Sequence, residues 1–150
     1  MPRLDEAQLD SLASAAWQAR MNAYAPYSQF PVGAALMAAD GRVFSGANVE
    51  NASLGVTMCA ERVAVGAAAS AGVRSIAAIA VAGGGPDGIL PCGACRQVLA
   101  EFSLSVTIMR CRMDGSYVTH RLADLLPCAF SGPGIAQDDA QRELELSASS

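Results

Sequence analysis

Apolar residues near the start of the chain fall at Leu4, Leu9, Leu12, Ala16 and Trp17, close to one helical stripe, and predict a helix over Leu4–Met21. Asn22 and then Pro26 end it. A short unbroken apolar run follows at Val32–Ala38, and Asp40-Gly41 reads as a hairpin turn into a second strand, Arg42–Ala47. The next ten residues, NVENASLGVT, have loop chemistry. Met58–Ala71 is rich in alanine and reads as a buried helix stopped by Gly72. Ile76–Ala82 is short and apolar enough for a central strand, and the turn signal GGGPDG follows it. Gly93–Phe102 reads as helix, Leu104–Cys111 and Tyr117–Thr119 as strands about an Asp114-Gly115 turn, and Leu122–Leu126 as a short helix before Pro127. This order predicts a mixed five-stranded sheet with helices on its faces, a three-layer α/β/α domain. The domain is expected to span residues 1–132, with a polar, loosely ordered tail over 133–150 that is rich in Asp, Glu, Gln and Ser.

The length of 150 residues suits one domain. Only 16% of the residues are charged, against about 25% in an average soluble domain, and much of the apolar excess is alanine. Small side chains let backbones approach closely, and so few charges imply that part of the surface is covered in an oligomer. The net charge of −4, with ten scattered Lys and Arg, argues against a nucleic-acid partner, which needs clustered cations to meet phosphates. A small, weakly charged ligand fits better. No apolar run reaches the length of a membrane span, and the acidic, amphipathic start MPRLDEAQLDSL does not read as a signal peptide. The five cysteines are odd in number and suit reduced thiols in the cytoplasm better than a disulfide framework.

Those thiols carry the chemistry. Cys92-Gly93-Ala94-Cys95 is a Cys-x-x-Cys pair that, alone, reads as a metal clip, a redox pair or coincidence. Cys59 shifts the balance, because it too lies at the start of a predicted helix, where free N–H groups stabilise thiolates. Three thiolates converging on Zn²⁺ leave a fourth position open, as in catalytic zinc sites; a structural site would close it with a fourth protein ligand. Cys111, Cys128 and His120 are the residues available for that closure, but they lack paired spacing and read as small core residues and a surface histidine. Glu61, two residues after Cys59, is an ordinary first-turn glutamate by itself; beside a metal with an open position it is placed for general acid–base work. Three thiolates overbalance the charge of Zn²⁺, so helix N-termini and a cation, Arg62 or Arg96, are required to compensate.

Cys59-Ala60-Glu61-Arg62 followed by Pro91-Cys92-Gly93-Ala94-Cys95-Arg96-Gln97-Val98 resembles the zinc signature of cytidine deaminases, specifically the short, homotetrameric, three-cysteine class. The resemblance runs from about Leu9 to Phe130 and extends to three further segments. These are Tyr27–Ala35 before the first strand, Gly46–Ala52 as the ribose loop, and Leu125–Phe130 as the C-terminal motif. It implies a cytidine deaminase-like fold, one Zn²⁺ per subunit on Cys59, Cys92 and Cys95, and Glu61 as the proton shuttle. It further implies a substrate-contacting set of Phe30, Asn48, Val49, Glu50, Ala60 and Phe130, and Arg62 as the cation that bonds a thiolate. Within that set Asn48 and Glu50 would meet the sugar hydroxyls, Phe30 would pack on the pyrimidine, and Phe130 would close a neighbouring subunit's pocket in the tetramer. Leu54 stands where many members carry tyrosine, and Met58 where asparagine is frequent.

The expected reaction is hydrolytic deamination of cytidine, 2′-deoxycytidine or both, within pyrimidine salvage. The alternatives are a deaminase of another cytosine compound such as blasticidin S, and a zinc or redox module without catalysis. Glu50 disfavours the first, since a free nucleoside offers hydroxyls to a carboxylate. A closed site engaging Cys111 or Cys128 would mark the second. A polynucleotide editor is disfavoured by the acidic charge, and the histidine-liganded deaminases by the absence of a His-x-Glu form.

Overall fold

A computed structural model describes residues 3–132. Helix α1 (Glu6–Arg20) opens with a capping box: Asp5 accepts from the Gln8 N–H while the Gln8 side chain accepts from the Asp5 N–H. Strands β1 (Val32–Ala38) and β2 (Val43–Ala47) form the hairpin. A 3₁₀ turn at Leu54–Val56 interrupts the loop expected there. Helix α2 (Ala60–Ser70), strand β3 (Ile76–Gly83), helix α3 (Gly93–Ala100), strands β4 (Thr107–Cys111) and β5 (Tyr117–Arg121) and helix α4 (Leu122–Leu125) complete the chain. The expected tail over 133–150 lies outside the described residues.

The sheet runs β2-β1-β3-β4-β5, with β3 and β4 parallel and the other pairs antiparallel. The expected mixed five-stranded sheet is the observed one. Its two faces are segregated by residue size. Ala35, Ala78, Ala80 and Ala82 meet Leu12, Ala13 and Ala16 of α1, whereas Leu36, Ile79, Val81 and Ile108 meet Ala60, Ala64 and Val65 of α2 and Leu99 of α3. Alanine on one face is what lets α1 lie close. At Gly33 the approach is tightest: a Cβ there would stand 2.1 Å from the Ala16 carbonyl oxygen, so only glycine fits.

The topology then selects one end of the sheet. Because β1 runs antiparallel to both neighbours, its first residue lies beside Gly83 at the end of β3, and Gly33 lies beside Ala47 at the end of β2. Three connections therefore converge there: the segment before β1, the loop after β2 that leads into α2, and the loop after β3 that leads into α3. Ligands bind in α/β sheets where strand ends and helix N-termini meet in this way.

Candidate active site

Cys59 caps the N-terminus of α2, and Cys92 caps that of α3 with Cys95 in its first turn. The three sulfurs lie within 4.8 Å of one another, with Cys92 Sγ 4.0 Å from Cys59 Sγ and 3.5 Å from Cys95 Sγ. Tetrahedral zinc with thiolate bonds of about 2.3 Å holds sulfurs about 3.8 Å apart, so the donor set and its spacing fit that metal. No other group of three or more His, Cys, Asp or Glu capable of holding a metal occurs among the described residues. Cys111 is buried on the opposite face of the sheet with Met109, and burial pushes its thiol up to about 11, which keeps it a neutral core residue. Cys128 is exposed, and neither it, Cys111 nor His120 joins the three-thiol group. Among the described residues the fourth position is thus left without a protein ligand, which is the open form of a catalytic site.

The electrostatics follow from the helix ends. Burial works to raise the Cys92 thiol, but backbone N–H groups of Cys95 and Ala94 and the neighbouring thiols outweigh it, and the group sits below its ordinary value. Cys95 is more deeply placed, and burial together with the nearby Glu61 and Cys59 charges raises it. A bound dication reverses that pressure, since it favours the thiolate. Of the two candidate cations, the structure brings Arg62 to the sulfurs: its Nη2 donates to Cys59 Sγ at 3.7 Å and to the Thr57 carbonyl at 2.9 Å. Arg96 turns away. Its Nε donates to the Pro91 carbonyl and its Nη1 to the Leu125 carbonyl, both at 2.8 Å.

Glu61 is only 4% exposed and lines the same cavity as Cys59 and Cys92. Burial raises its carboxyl above the ordinary value, opposed in part by its own backbone N–H, the Cys95 thiol and the Arg62 charge. A carboxyl biased toward its neutral form can hold a proton and release it, which is what a general acid–base needs.

The cavity has a volume of about 360 Å³, within the range of small-molecule sites. Phe30, Asn48, Glu50 and Ala60 line it, as the motifs imply. Asn48 is buried and largely committed: its Oδ1 accepts from the Val32 N–H and its Nδ2 donates to the Phe30 carbonyl, each at 2.9 Å. That leaves one amide proton for a ligand. Glu50 accepts from the Tyr27 and Ser28 N–H groups through Oε1 at 3.0 and 3.1 Å, and no backbone N–H among the described residues occupies Oε2. Hydrogen bonds from Ser28 foremost, and then Tyr27, hold its carboxyl below the ordinary range, so it remains an acceptor.

Val49 and Phe130, the other two residues of the expected substrate set, are not in the lining of this chain's cavity. Val49 does not line the cavity; its backbone pairs with Met58 and its side chain is 47% exposed, because the two sides of an extended segment alternate. Phe130 is 81% exposed and lies outside its own chain's cavity. Ile89 and Leu90, which follow the GGGPDG turn and were given no role from the sequence, form an apolar wall. Their position just before Pro91-Cys92 was the available signal.

A family profile described as "Cytidine and deoxycytidylate deaminase zinc-binding region" matches residues 6–111. The cytidine deaminase of Sporosarcina psychrophila is 46% identical over 124 residues, covering 82% of this chain and 91% of that protein. That of Mycobacterium tuberculosis is 44% identical over 143 residues, covering 95% and 98%. A crystal structure of cytidine deaminase from Burkholderia pseudomallei superposes with a TM-score of 0.78 at 48% identity, covering 85% of this chain and all of that one, 100%.

Proposed function

The chain belongs to the zinc-dependent cytidine deaminase family, and from that premise we propose that it hydrolyses cytidine and 2′-deoxycytidine to uridine and deoxyuridine with release of ammonia. The observation that carries the reading is the union of three sulfurs at zinc spacing with a buried glutamate in one cavity of nucleoside size. Zinc held by Cys59, Cys92 and Cys95 would supply a Lewis acid that makes the attacking water easier to deprotonate.

The remaining work falls to the chain's own residues. Glu61 takes a proton from the attacking water and delivers it to N3 of the cytosine ring, which makes C4 electrophilic. As the new C4–O bond gains its carbonyl character, Glu61 takes the second proton and passes it to the exocyclic amine, and the C4–N bond breaks. Both protons come from the one water, so ammonia leaves neutral. Phe30, Ile89 and Leu90 offer apolar surface to the pyrimidine and exclude bulk water from the reacting carbon. The free amide proton of Asn48 and Oε2 of Glu50 supply a donor and an acceptor for the sugar hydroxyls.

The assembly is proposed to be a homotetramer in which Phe130 completes a neighbouring copy's pocket. The low charge content supports it, as do the exposed apolar side chains of Tyr24, Tyr27, Val49, Leu54, Val56, Met58 and Phe130. Five cysteines without a disulfide among them suit a reducing cytoplasm, where the reaction would return pyrimidine nucleosides to salvage.

Glu61→Gln tests the assignment. It keeps the shape of the side chain and removes its ability to carry a proton. Zinc content should stay at one per chain while turnover of cytidine, followed by ultraviolet absorbance, falls at least ~10³-fold. Activity within tenfold of the parent would remove Glu61 from its role.

A further inference from the structure

The C-terminal segment that ends in Phe130 is held in an unusual way. Helix α4 closes with the Leu126 N–H donating to the Leu122 carbonyl at 2.9 Å, and Cys128 then takes a positive φ of 54° that reverses the chain. Among the described residues, the only hydrogen bond to the backbone of 127–132 is the one donated by Gln97 Nε2 to the Phe130 carbonyl at 2.9 Å. Phe130 gains little packing from its own chain, being exposed.

Gln97 stands on α3 two residues after Cys95, and its neighbour Arg96 ties the Leu125 carbonyl to the Pro91 carbonyl beside Cys92. Three consecutive residues of one helical turn thus face three tasks. Cys95 goes to the metal group, Arg96 to the root of the C-terminal segment and Gln97 to its tip. One turn of helix α3 carries all three residues, so the segment is referenced to the metal loop.

We infer that Gln97 is a positioning residue for the substrate affinity of a neighbouring copy, acting through the backbone of Phe130, with Arg96 fixing the base of the same segment. The inference rests on the proposed reading of Phe130 as a wall of the adjoining pocket. It adds that one subunit's metal-bearing helix sets that wall. Loss of the Gln97 bond would leave the Phe130 ring ordered only by the pocket it enters, so binding must order it and affinity falls. The metal ligands and Glu61 are untouched, so the chemical step does not slow.

The test is a double-mutant cycle on the zinc-loaded protein with cytidine as substrate. Gln97→Met and Gln97→Glu each remove the donor at nearly constant size, and Phe130→Ala removes the ring. We expect both Gln97 variants to raise KM about fivefold to tenfold with kcat within about twofold and zinc content unchanged. Uridine binding by calorimetry should weaken by the same factor. In the Phe130→Ala background, Gln97→Met should add nothing further. If Phe130→Ala leaves KM unchanged, the reading of Phe130 itself fails. If Phe130→Ala raises KM but Gln97→Met and Gln97→Glu do not, the positioning role alone is overturned. A fully multiplicative double mutant would also overturn it, as would loss of assembly by sedimentation in both Gln97 variants, since the bond would then serve something other than Phe130.

Discussion

Gly46 sits on β2 where the first turn of α2 crosses the sheet, and Gly46→Ala tests whether that crossing positions the catalytic group. A Cβ there would stand 2.5 Å from both the Ala60 carbonyl oxygen and the Ala64 backbone nitrogen, and 2.9 Å from Val63 Cβ. Two of these are backbone atoms of a helix, which cannot rotate aside as a side-chain tip can. Restoring ordinary contact at roughly 3.4 Å requires α2 to withdraw by about 0.9 Å, and overpacking of this kind costs about 1–3 kcal/mol. At this chain length that corresponds to a fall in Tm of about 2–12 °C. The same turn carries Cys59, Glu61 and Arg62, so the withdrawal moves Glu61, the proposed proton shuttle, relative to the loop that holds Cys92 and Cys95. A displacement of about 1 Å is enough to reduce kcat/KM about 100-fold. The assays are calorimetry and ultraviolet deamination kinetics on the zinc-loaded protein. Gly41→Ala serves as the comparison: its φ of 89° makes alanine strained, but nothing lies within 4 Å of the added carbon. It should lose about 1 kcal/mol and keep full activity. A Gly46→Ala protein with parental activity and Tm would refute the argument; one that is destabilised yet fully active would show that α2 does not set the geometry.

Two further outcomes follow from the charges around the site. Arg62→Gln removes the cation that donates to Cys59 Sγ and leaves the Thr57 carbonyl without that partner, so zinc affinity should fall about 10–100-fold in a chelator competition, and unchanged affinity would contradict its role. Glu50 has a folded-state pKa below the ordinary 4.5, so the stability it contributes is present above the unfolded value and is lost as pH falls through the folded one. The Tm gap between the parent and Glu50→Gln should accordingly be widest near neutrality and close in acid, alongside a raised KM for cytidine; a gap independent of pH would refute the linkage.

How much of this was legible beforehand differs by residue, and the differences have physical causes. The metal group was readable because helix starts, Cys-x-x-Cys spacing and a glutamate two residues after a cysteine are local features of the chain. The strands were readable for the same reason, and their ends shifted by only a few residues. Arg62 and Arg96 were not separable from spacing, because each follows a ligand cysteine by a few residues. The direction in which a first-turn side chain reaches depends on the loop before it. Asn48 and Glu50 were correctly drawn to the cavity, but not their prior commitments, since the Val32, Phe30, Tyr27 and Ser28 backbone groups that occupy them lie 16–23 positions away. The apolar wall of Ile89 and Leu90 escaped because two apolar residues after a turn show no periodicity that says what they cover. What decides all of these cases is the end of the sheet at which β1 begins while β2 and β3 finish. One antiparallel strand between two others brings three distant loops together and aims two helix N-termini at the same point. The cysteines are thiols of ordinary reactivity until that topology gathers them, and Glu61 is an ordinary first-turn glutamate until α2 is drawn against Gly46 and buries it.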